Sequence, residues 1–186
     1  MSARHASGHS GRRSIVLVGL MGAGKSSIGR RLAKRLNMPF RDADDEIAKA
    51  AGCSVEDIFD LYGEEAFRDG ERKVIMRLLD GKPVVLATGG GAFMDETLRT
   101  KIAARGVSVW LRVDLDTLVA RTEHRGGRPL LKNKDVRTTL KALMEQRSPV
   151  YALADLTVDV KGDTPEETAE FVNQEITRFL ENTSTP

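Results

Sequence analysis

Residues 14–26 read S-I-V-L-V-G-L-M-G-A-G-K-S, an apolar run followed by the pattern G-x-x-x-x-G-K-S. The run has the length of a buried strand, and Ile28, Leu32 and Leu36 then recur at the spacing of one helix face. A glycine-rich turn between a strand and a helix lets successive backbone N–H groups face inward, where they bind phosphate oxygens together with the helix N-terminus. The pattern therefore predicts a phosphate-binding loop rather than a glycine-rich turn without a ligand.

This loop predicts a nucleotide site with separate roles for its residues. We assign the phosphate contacts to the loop and the first helical turn: Gly22, Ala23, Gly24, Lys25, Ser26 and Ser27. Lys25 would place its charge between the β- and γ-phosphates, and the Ser26 hydroxyl would bind Mg²⁺.

The identity of the purine depends on a second motif. A GTPase carries N-K-x-D after a strand, whereas residues 133–136 read N-K-D-V and no predicted strand precedes them. We interpret this near match as chance and expect ATP.

Short apolar runs alternate with helical patterns along the rest of the chain. Strands are predicted at 14–18, 40–42, 83–87, 107–113 and 156–160, and helices at 25–36, 45–51, 55–61, 64–79, 95–104, 115–122, 136–147 and 166–180. Strands that alternate with helices form βαβ units, so we predict an α/β fold with a five-stranded parallel sheet flanked by helices. The strand C-termini then share one edge of the sheet, where ligands bind.

Length and composition exclude several classes of protein. The 186 residues make one domain with 40% hydrophobic and 30% charged residues, as in an ordinary globular protein. The longest apolar runs are too short to span a bilayer, so we expect no membrane partner. The single cysteine, Cys53, fits a reducing cytoplasm, and outside the first 13 residues His124 is the only histidine, which argues against a multi-histidine metal site.

The basic residues are unevenly distributed. The chain has 29 Lys and Arg against 27 Asp and Glu, but residues 1–13 hold three of the arginines and no acid. The remainder is slightly acidic, so a nucleic-acid surface is not indicated. We predict a disordered tail at 1–13 in preference to a targeting segment, one domain at 14–181, a mobile lid at about 123–134 and a frayed end at 182–186. The oligomeric state that we expect is a monomer.

Two aspartates follow the second predicted strand, in F-R-D-A-D at residues 40–44. In an extended segment, Asp42 and Asp44 project to the same side. Asp42 could then hold Mg²⁺ through water, while Asp44 accepts a hydrogen bond from a substrate hydroxyl. Alternatively, both are turn and N-cap residues of the next helix.

Three further motifs have both a functional and a structural explanation. Residues 67–71 read F-R-D-G-E, where Arg68 and Glu71 could form only a surface pair. Residues 88–91 read T-G-G-G, which suggests close approach of backbone to a ligand or a flexible turn. Residues 121–131, which include Arg121 and Arg128, could close over phosphates or be a solvated charged loop.

The complete set of motifs resembles the shikimate kinase family. G-L-M-G-A-G-K-S, F-x-D-x-D, F-R-x-x-E, G-G-G, R-P-L-L and R-x-P-x-Y, the last at residues 147–151, occur in this order over residues 14–180. The resemblance implies transfer of the γ-phosphate of ATP to the 3-hydroxyl of shikimate, with Mg²⁺, in the chorismate pathway of aromatic amino-acid biosynthesis.

The resemblance also implies roles for individual residues. Asp44 would bind substrate hydroxyls and act as the base, and Arg68 and Arg147 would hold the carboxylate. Gly89, Gly90 and Gly91 would line the substrate pocket. Arg128 would approach the phosphates from the lid, as a catalytic residue beside Lys25 and Asp44, and Arg121 would stack near adenine.

Other functions remain to be separated from this one. A kinase resembling gluconate kinases would also use paired arginines for a carboxylate. A nucleoside or nucleotide kinase is less favoured because the sequence shows no second base-reading site. A nucleotide-binding protein without catalysis would retain the fold but not the charged set, and a nucleic-acid binder would depend on the basic tail.

Overall fold

The computed structural model describes residues 12–123, 135–161 and 164–183. The rest of the predicted tail, the predicted lid from residue 124 onward with Arg128, and residues 184–186 lie outside the described residues.

Five strands form one parallel sheet in the order β2-β3-β1-β4-β5. The strands are β1 (Ser14–Val18), β2 (Phe40–Asp42), β3 (Val85–Ala87), β4 (Gly106–Arg112) and β5 (Leu156–Asp159). The predicted fold class is thus confirmed. Since β1 lies in the middle, residues that follow β1, β2 and β3 come together at one edge of the sheet.

Helices cover both faces of the sheet. They are α1 (Lys25–Leu36), α2 (Ala43–Ala51), α3 (Val55–Asp80), α4 (Glu96–Arg105), α5 (Leu115–Glu123), α6 (Val136–Tyr151) and α7 (Pro165–Thr183), with a 3-10 helix at Ala92–Met94. Right-handed crossovers place α1 on the face opposite α4, α5 and α6, because the chain moves in opposite directions across the sheet. Helix α7 packs against α1, on the same face of the sheet as α1.

Strand β1 and helix α1 follow directly from their sequences. All five residues of β1 are buried, as expected for a central strand covered on both faces. Helix α1 buries Ile28 and Leu32 and ends at Asn37, whose left-handed conformation lets its N–H reach the carbonyls of Ala33 and Lys34. No acidic residue lies in the first turn of α1, so the positive end of its dipole is left for an anion.

Three helices, α3, α6 and α7, differ from the sequence prediction in continuity or at their C-termini. Helix α6, predicted to end at Arg147, continues to Tyr151 with Pro149 in its last turn, where the missing proline N–H removes one terminal hydrogen bond. The two helices predicted at 55–61 and 64–79 are one element, α3, interrupted at Gly63 by φ 81° and ψ 175°. Helix α7 reaches Thr183, inside the segment predicted to fray.

The apolar side chains form a large and a small cluster. The large one packs around the sheet, while the small one joins α2 to α3 through Ile47, Ile58, Phe67 and Val74. Within the described ranges, no helix is long and apolar enough to cross a membrane.

Candidate functional site

A cleft of about 600 Å³ opens at the C-terminal edge of the sheet. Its walls contain almost every described residue that the sequence assigned to a site: Gly22, Gly24, Lys25, Ser26, Ser27, Asp42, Asp44, Arg68, Gly89, Gly90, Gly91, Arg121 and Arg147. The folded chain therefore brings the predicted nucleotide and acceptor residues into one cavity.

The phosphate-binding loop runs from β1 into α1. Gly22 and Gly24 have φ of 83° and 90°, a conformation that side chains with a Cβ rarely adopt. The Lys25 ammonium donates to the carbonyls of Gly19 at 2.7 Å and Leu20 at 2.9 Å. The lysine is thus held over its own loop, where phosphate oxygens could replace the carbonyls as acceptors.

Ala23 differs from its neighbours in the loop. Its side chain is buried in the large core, and its N–H donates to the Leu20 carbonyl at 3.2 Å. Ala23 therefore helps to form the turn of the loop, and its contact with ATP stays a prediction.

Asp42 caps α2, which is one of the two roles that the sequence left open, and it also contacts the phosphate-binding loop; its role in holding Mg²⁺ stays a prediction. Its carboxylate accepts a hydrogen bond from the Ser26 hydroxyl, and it caps α2 by accepting from the N–H of Asp44 at 3.1 Å. The argument that Asp42 and Asp44 share one side of an extended segment is wrong, because β2 ends at Asp42 and Asp44 lies in the first turn of α2. Asp44 reaches the cleft from the helix instead.

The carboxyl group of Asp44 favours its protonated form more than an exposed aspartate does. Burial raises the pKa of Asp44 most, and the charge of Asp42 raises it further, while Lys25 and Arg68 oppose the shift. A carboxyl group with a raised pKa in a cleft is a candidate for proton transfer.

Arg68 and Glu71 form an ion pair inside the cleft, not on the surface. The two groups are 2.8 Å apart, and the Glu71 side chain is 2% exposed. Burial raises the pKa of Glu71 although Arg68 lowers it, and for Arg68 the charges of Glu71 and Glu64 outweigh burial, so the pKa of Arg68 is raised. Helix α3 thus presents a fixed guanidinium to the cleft.

The three glycines after β3 pack directly against the ends of charged side chains. A Cβ on Gly89 would come within 2.5 Å of Glu71, and one on Gly91 within 2.7 Å of the Arg68 guanidinium. A Cβ on Gly90 would lie 3.3 Å from Nη1 of Arg147. The glycines therefore let charged side chains approach the backbone closely. A ligand bound here would contact both the charged side chains and the glycine backbone.

Two buried polar atoms in the cleft lack a hydrogen-bond partner among the described residues. They are Oε1 of Glu71 and Nη1 of Arg147. Buried polar groups are rarely left unpaired, and a ligand is one explanation when they line a cavity. The Arg147 atom is a free donor beside Gly90, as a carboxylate site needs.

Sequence reasoning gave no role to several residues of the site. Glu71 and Tyr151 were inside quoted motifs, and helical spacing, i+3 from Arg68 and i+4 from Arg147, was the signal that could have placed them beside the arginines. The cleft is also lined by Val160, Pro165 and Thr168, which follow β5 and had no sequence signal. Arg121 lies beside the phosphate-binding loop, with Nη1 3.5 Å from the Gly22 carbonyl.

The near match to N-K-x-D has a structural explanation at its third residue. Asp135 is the N-cap of α6 and accepts from the N–H of Thr138 at 2.6 Å. The other residues of the pattern that precede it lie outside the described part of the chain.

The donor set near the loop fits magnesium. Mg²⁺ takes one or two protein oxygens and completes its shell with water and phosphate. The Ser26 hydroxyl and the Asp42 carboxylate are adjacent and both face the cleft. No cluster of three or more His, Cys, Asp or Glu suited to a metal is present in the described ranges.

Comparisons with known proteins identify the family. A family model described as "Shikimate kinase" matches residues 21–180. A shikimate kinase of Paramagnetospirillum magneticum is 56% identical over 169 residues, which are 91% of this chain and 87% of that protein.

Solved structures agree with the sequence comparisons. The shikimate kinase of Acinetobacter baumannii in complex with shikimate has a TM-score of 0.88 at 35% identity, covering 94% of this chain and 97% of that one. A gluconokinase of Sinorhizobium meliloti 1021 has a TM-score of 0.58 at 21% identity, which shows only a shared fold. The phosphate loop, the paired arginines around three glycines and these matches lead to one conclusion: the chain belongs to the shikimate kinase family.

Proposed function

We propose that this chain transfers the γ-phosphoryl group of ATP to the 3-hydroxyl of shikimate, giving shikimate 3-phosphate and ADP. One observation carries the acceptor assignment: Arg68 and Arg147 lie against the same run of glycines, and Nη1 of Arg147 has no partner among the described residues. Membership of the shikimate kinase family supports the reaction.

The nucleotide occupies the end of the cleft formed by the loop and α1. The N–H groups at the start of α1 and the Lys25 ammonium bind the phosphates, because no acid in the first turn opposes them. The base lies between Arg121 and the side chains of Val160 and Pro165, which all line the cleft. Arg128 lies outside the described residues, and its contact with the transferring phosphate remains a prediction from the sequence.

The Ser26 hydroxyl, and Asp42 through water, would hold Mg²⁺. When bound, Mg²⁺ neutralises charge on the β- and γ-phosphates. The hydrogen bond that joins Ser26 to Asp42 keeps both oxygens at the loop.

The acceptor lies between α3, α6 and the glycines. The guanidinium groups of Arg68 and Arg147 hold its carboxylate, since planar donors match a carboxylate with two parallel hydrogen bonds. Asp44 accepts a hydrogen bond from the reacting hydroxyl.

The chemical step needs positioning and one proton transfer. The hydroxyl oxygen attacks the γ-phosphorus, the bond to the β,γ-bridging oxygen breaks, and the hydroxyl proton passes to the Asp44 carboxylate. The raised pKa of Asp44 suits this role, because a carboxylate of higher basicity accepts a proton more readily.

The test is ADP release measured in a coupled assay with shikimate, with gluconate and without an acceptor. We expect turnover with shikimate and only background with the other two. Turnover that prefers gluconate would assign the chain to another small-molecule kinase activity, and ATP binding without acceptor-dependent ADP release would make it a nucleotide-binding protein without catalysis.

We also propose that the protein acts as a monomer in the cytoplasm, with small molecules and neither nucleic acid nor membranes as partners. All the residues assigned above come from one chain, and one cysteine in 186 residues suits a reducing compartment. Light scattering after size-exclusion chromatography, with and without ATP and shikimate, measures the molar mass that tests the monomer.

A further inference from the structure

Tyr151 is the last residue of α6 and lies one helical turn after Arg147. The i, i+4 spacing puts both side chains on the same face of the helix. Tyr151 is 1% exposed, and its ring packs against Trp110 with 5.7 Å between ring centroids. The ring is therefore part of the core, and only the hydroxyl reaches the region of the site.

The Tyr151 hydroxyl donates a hydrogen bond to the carbonyl of Gly90. Burial raises the pKa of Tyr151 to about 12, with Arg147 and Arg68 opposing part of the shift. The phenol thus keeps its proton throughout the working range of pH, and the hydroxyl remains a donor to Gly90.

This hydrogen bond orients a peptide group of the acceptor site. The structure has no cis peptide bonds within its described ranges, so the Gly91 N–H points away from the Gly90 carbonyl. With the carbonyl directed at the buried Tyr151, the N–H is directed to the other side of the segment. No hydrogen bond satisfies the N–H of Gly90 or Gly91 in the part of the chain that the structure describes, and both glycines line the cleft.

The rest of the segment is anchored separately. The Arg99 guanidinium donates to the carbonyls of Phe93 at 2.8 Å and Met94 at 2.9 Å, and Arg72 pairs with Asp95 at 2.6 Å. These contacts lie after the glycines. The glycine turn itself is closed by the Ala92 N–H, which donates to the Gly89 carbonyl at 3.2 Å, and Tyr151 adds the side-chain contact to the carbonyl of the central peptide. Removing the hydroxyl should therefore loosen this peptide without releasing the segment.

We propose that Tyr151 is a positioning residue for the acceptor: it holds the peptide between Gly90 and Gly91 so that the N–H of Gly91, the glycine that packs against Arg68, is offered to the acceptor's carboxylate. The proposal rests on the function proposed above, since it needs the carboxylate to lie between Arg68 and Arg147. Tyr151 touches neither nucleotide nor phosphate in this scheme.

The variant Tyr151→Phe tests the proposal, because it keeps the ring that packs on Trp110 and removes only the hydroxyl. We expect KM for shikimate to rise about fivefold to tenfold, because the hydrogen bond from the Gly91 N–H to the carboxylate is weakened and not lost, with kcat and KM for ATP changed less than about twofold. Tyr62→Phe, at a tyrosine that is 67% exposed, is the matched control and should change none of these constants.

A merely structural tyrosine would give a different result. It would lower the unfolding temperature and the amount of active enzyme while leaving KM for shikimate unchanged, and that outcome overturns the proposal. Arg147→Lys, assayed in parallel, tests the carboxylate site separately from the role of Tyr151. If only Arg147→Lys raises KM, the tyrosine assignment fails alone, whereas if neither variant does, the carboxylate site itself is wrong.

Amide resonances of ¹⁵N-glycine-labelled protein give a second measurement that does not depend on turnover. Adding shikimate should shift the Gly91 amide strongly in the wild type and in Tyr62→Phe, and much less in Tyr151→Phe. Since folded molecules give dispersed resonances, this comparison holds even if the variant is partly unfolded. Equal shifts in all three proteins would overturn the proposal.

Discussion

At the scale of single residues, the cleft contains carboxyl groups that are costly to ionise because they are buried, and a nearby guanidinium group that offsets part of this cost. Burial raises the pKa of both Asp44 and Glu71; the charge of Asp42 raises the pKa of Asp44 further, and the charge of Asp44 raises that of Glu71. Arg68 opposes the shift at both sites. Asp44 is thus an acid that the fold keeps in the cleft against the preference of a buried carboxyl to be neutral.

Replacing Asp44 by Asn should lower kcat by about 10²- to 10⁴-fold, because the amide keeps the shape but cannot accept the hydroxyl proton. A loose transition state would put the loss near the lower limit. ATP affinity, measured by titration calorimetry, should change little. A turnover number near that of the wild type would remove Asp44 from the mechanism.

The same substitution should stabilise the protein at neutral pH. A carboxyl whose pKa is higher in the folded than in the unfolded state stabilises the fold only in acid, and that contribution is lost as pH rises through the folded pKa. In urea unfolding, Asp44→Asn should therefore be more stable than the wild type at pH 7, and the difference should vanish below the ordinary pKa of an aspartate. A destabilised variant at pH 7 would show that Lys25 and Arg68 outweigh burial.

Replacing Lys25 by Ala should abolish phosphoryl transfer with the fold intact. The variant loses the charge between the β- and γ-phosphates, while the loop keeps its glycines. Circular dichroism and the coupled ADP assay measure the two properties, and Lys34→Ala, at an exposed lysine of the same helix, is the control. Normal turnover of a folded Lys25→Ala protein would refute the phosphate-loop assignment.

At the scale of elements, two irregular helices carry the acceptor site. Helix α3 presents Arg68 after the interruption at Gly63, and α6 presents Arg147 two residues before Pro149, which lacks the N–H for one helical hydrogen bond. Each helix thus supplies one guanidinium from an opposite side of the glycines.

Replacing Arg68 or Arg147 by Lys should raise KM for shikimate by about tenfold or more, since an ammonium cannot form the two parallel hydrogen bonds of a guanidinium. KM for ATP should stay near its wild-type value. Arg77→Lys, on α3 but 64% exposed, is the matched control for Arg68→Lys. Unchanged KM for shikimate in both variants would contradict the carboxylate assignment.

Replacing Gly63 by Ala should destabilise the protein by about 1–3 kcal/mol, because φ 81° with ψ 175° is a conformation that glycine almost alone adopts. Gly70→Ala, in the regular part of α3, should instead stabilise it by about 0.5–1 kcal/mol. An added Cβ meets nothing within 4 Å at either position, so the pair isolates backbone strain. Equal unfolding free energies for the two variants would mean that α3 straightens at Gly63 without cost.

At the scale of the whole molecule, sheet order explains why distant motifs meet. Strand β3 pairs with β1 on one side and β2 on the other, so the residues after these three strands converge. The nucleotide and acceptor parts of the cleft are therefore both supported by the hydrophobic core around this sheet. In the described ranges, every residue assigned to either part follows β1 in the sequence.

Removing residues 1–11 should leave kcat, both KM values and the unfolding temperature unchanged. The cut precedes Arg13, whose guanidinium donates to the Ala103 carbonyl at 2.7 Å, so that this contact is kept. Steady-state kinetics and thermal unfolding of the shortened chain measure the effect. A fall in activity, or nucleic-acid binding that disappears with the tail, would give these residues a function.

Local patterns were enough to predict much of this protein. The loop from Gly19 to Ser26 was predictable because it needs only a strand, glycines and a helix that are neighbours in sequence. The alternation of strands and helices similarly predicted the parallel sheet, since each βαβ unit is local. The six motifs predicted the family, while only the fold could show that Arg68 and Glu71 form a pair inside the cleft.

The tertiary structure decided what depends on contacts between distant segments. Three features of the site could not be predicted from the sequence. Asp44 reaches the cleft from a helix, Arg147 has a free donor beside Gly90, and Tyr151 holds this glycine. Gly90 and Tyr151 are 61 residues apart, and no local preference signals their hydrogen bond. Sequence by itself determined the residue types and the local elements, whereas burial and long-range packing determined which of those residues share a site and how strongly each holds its proton.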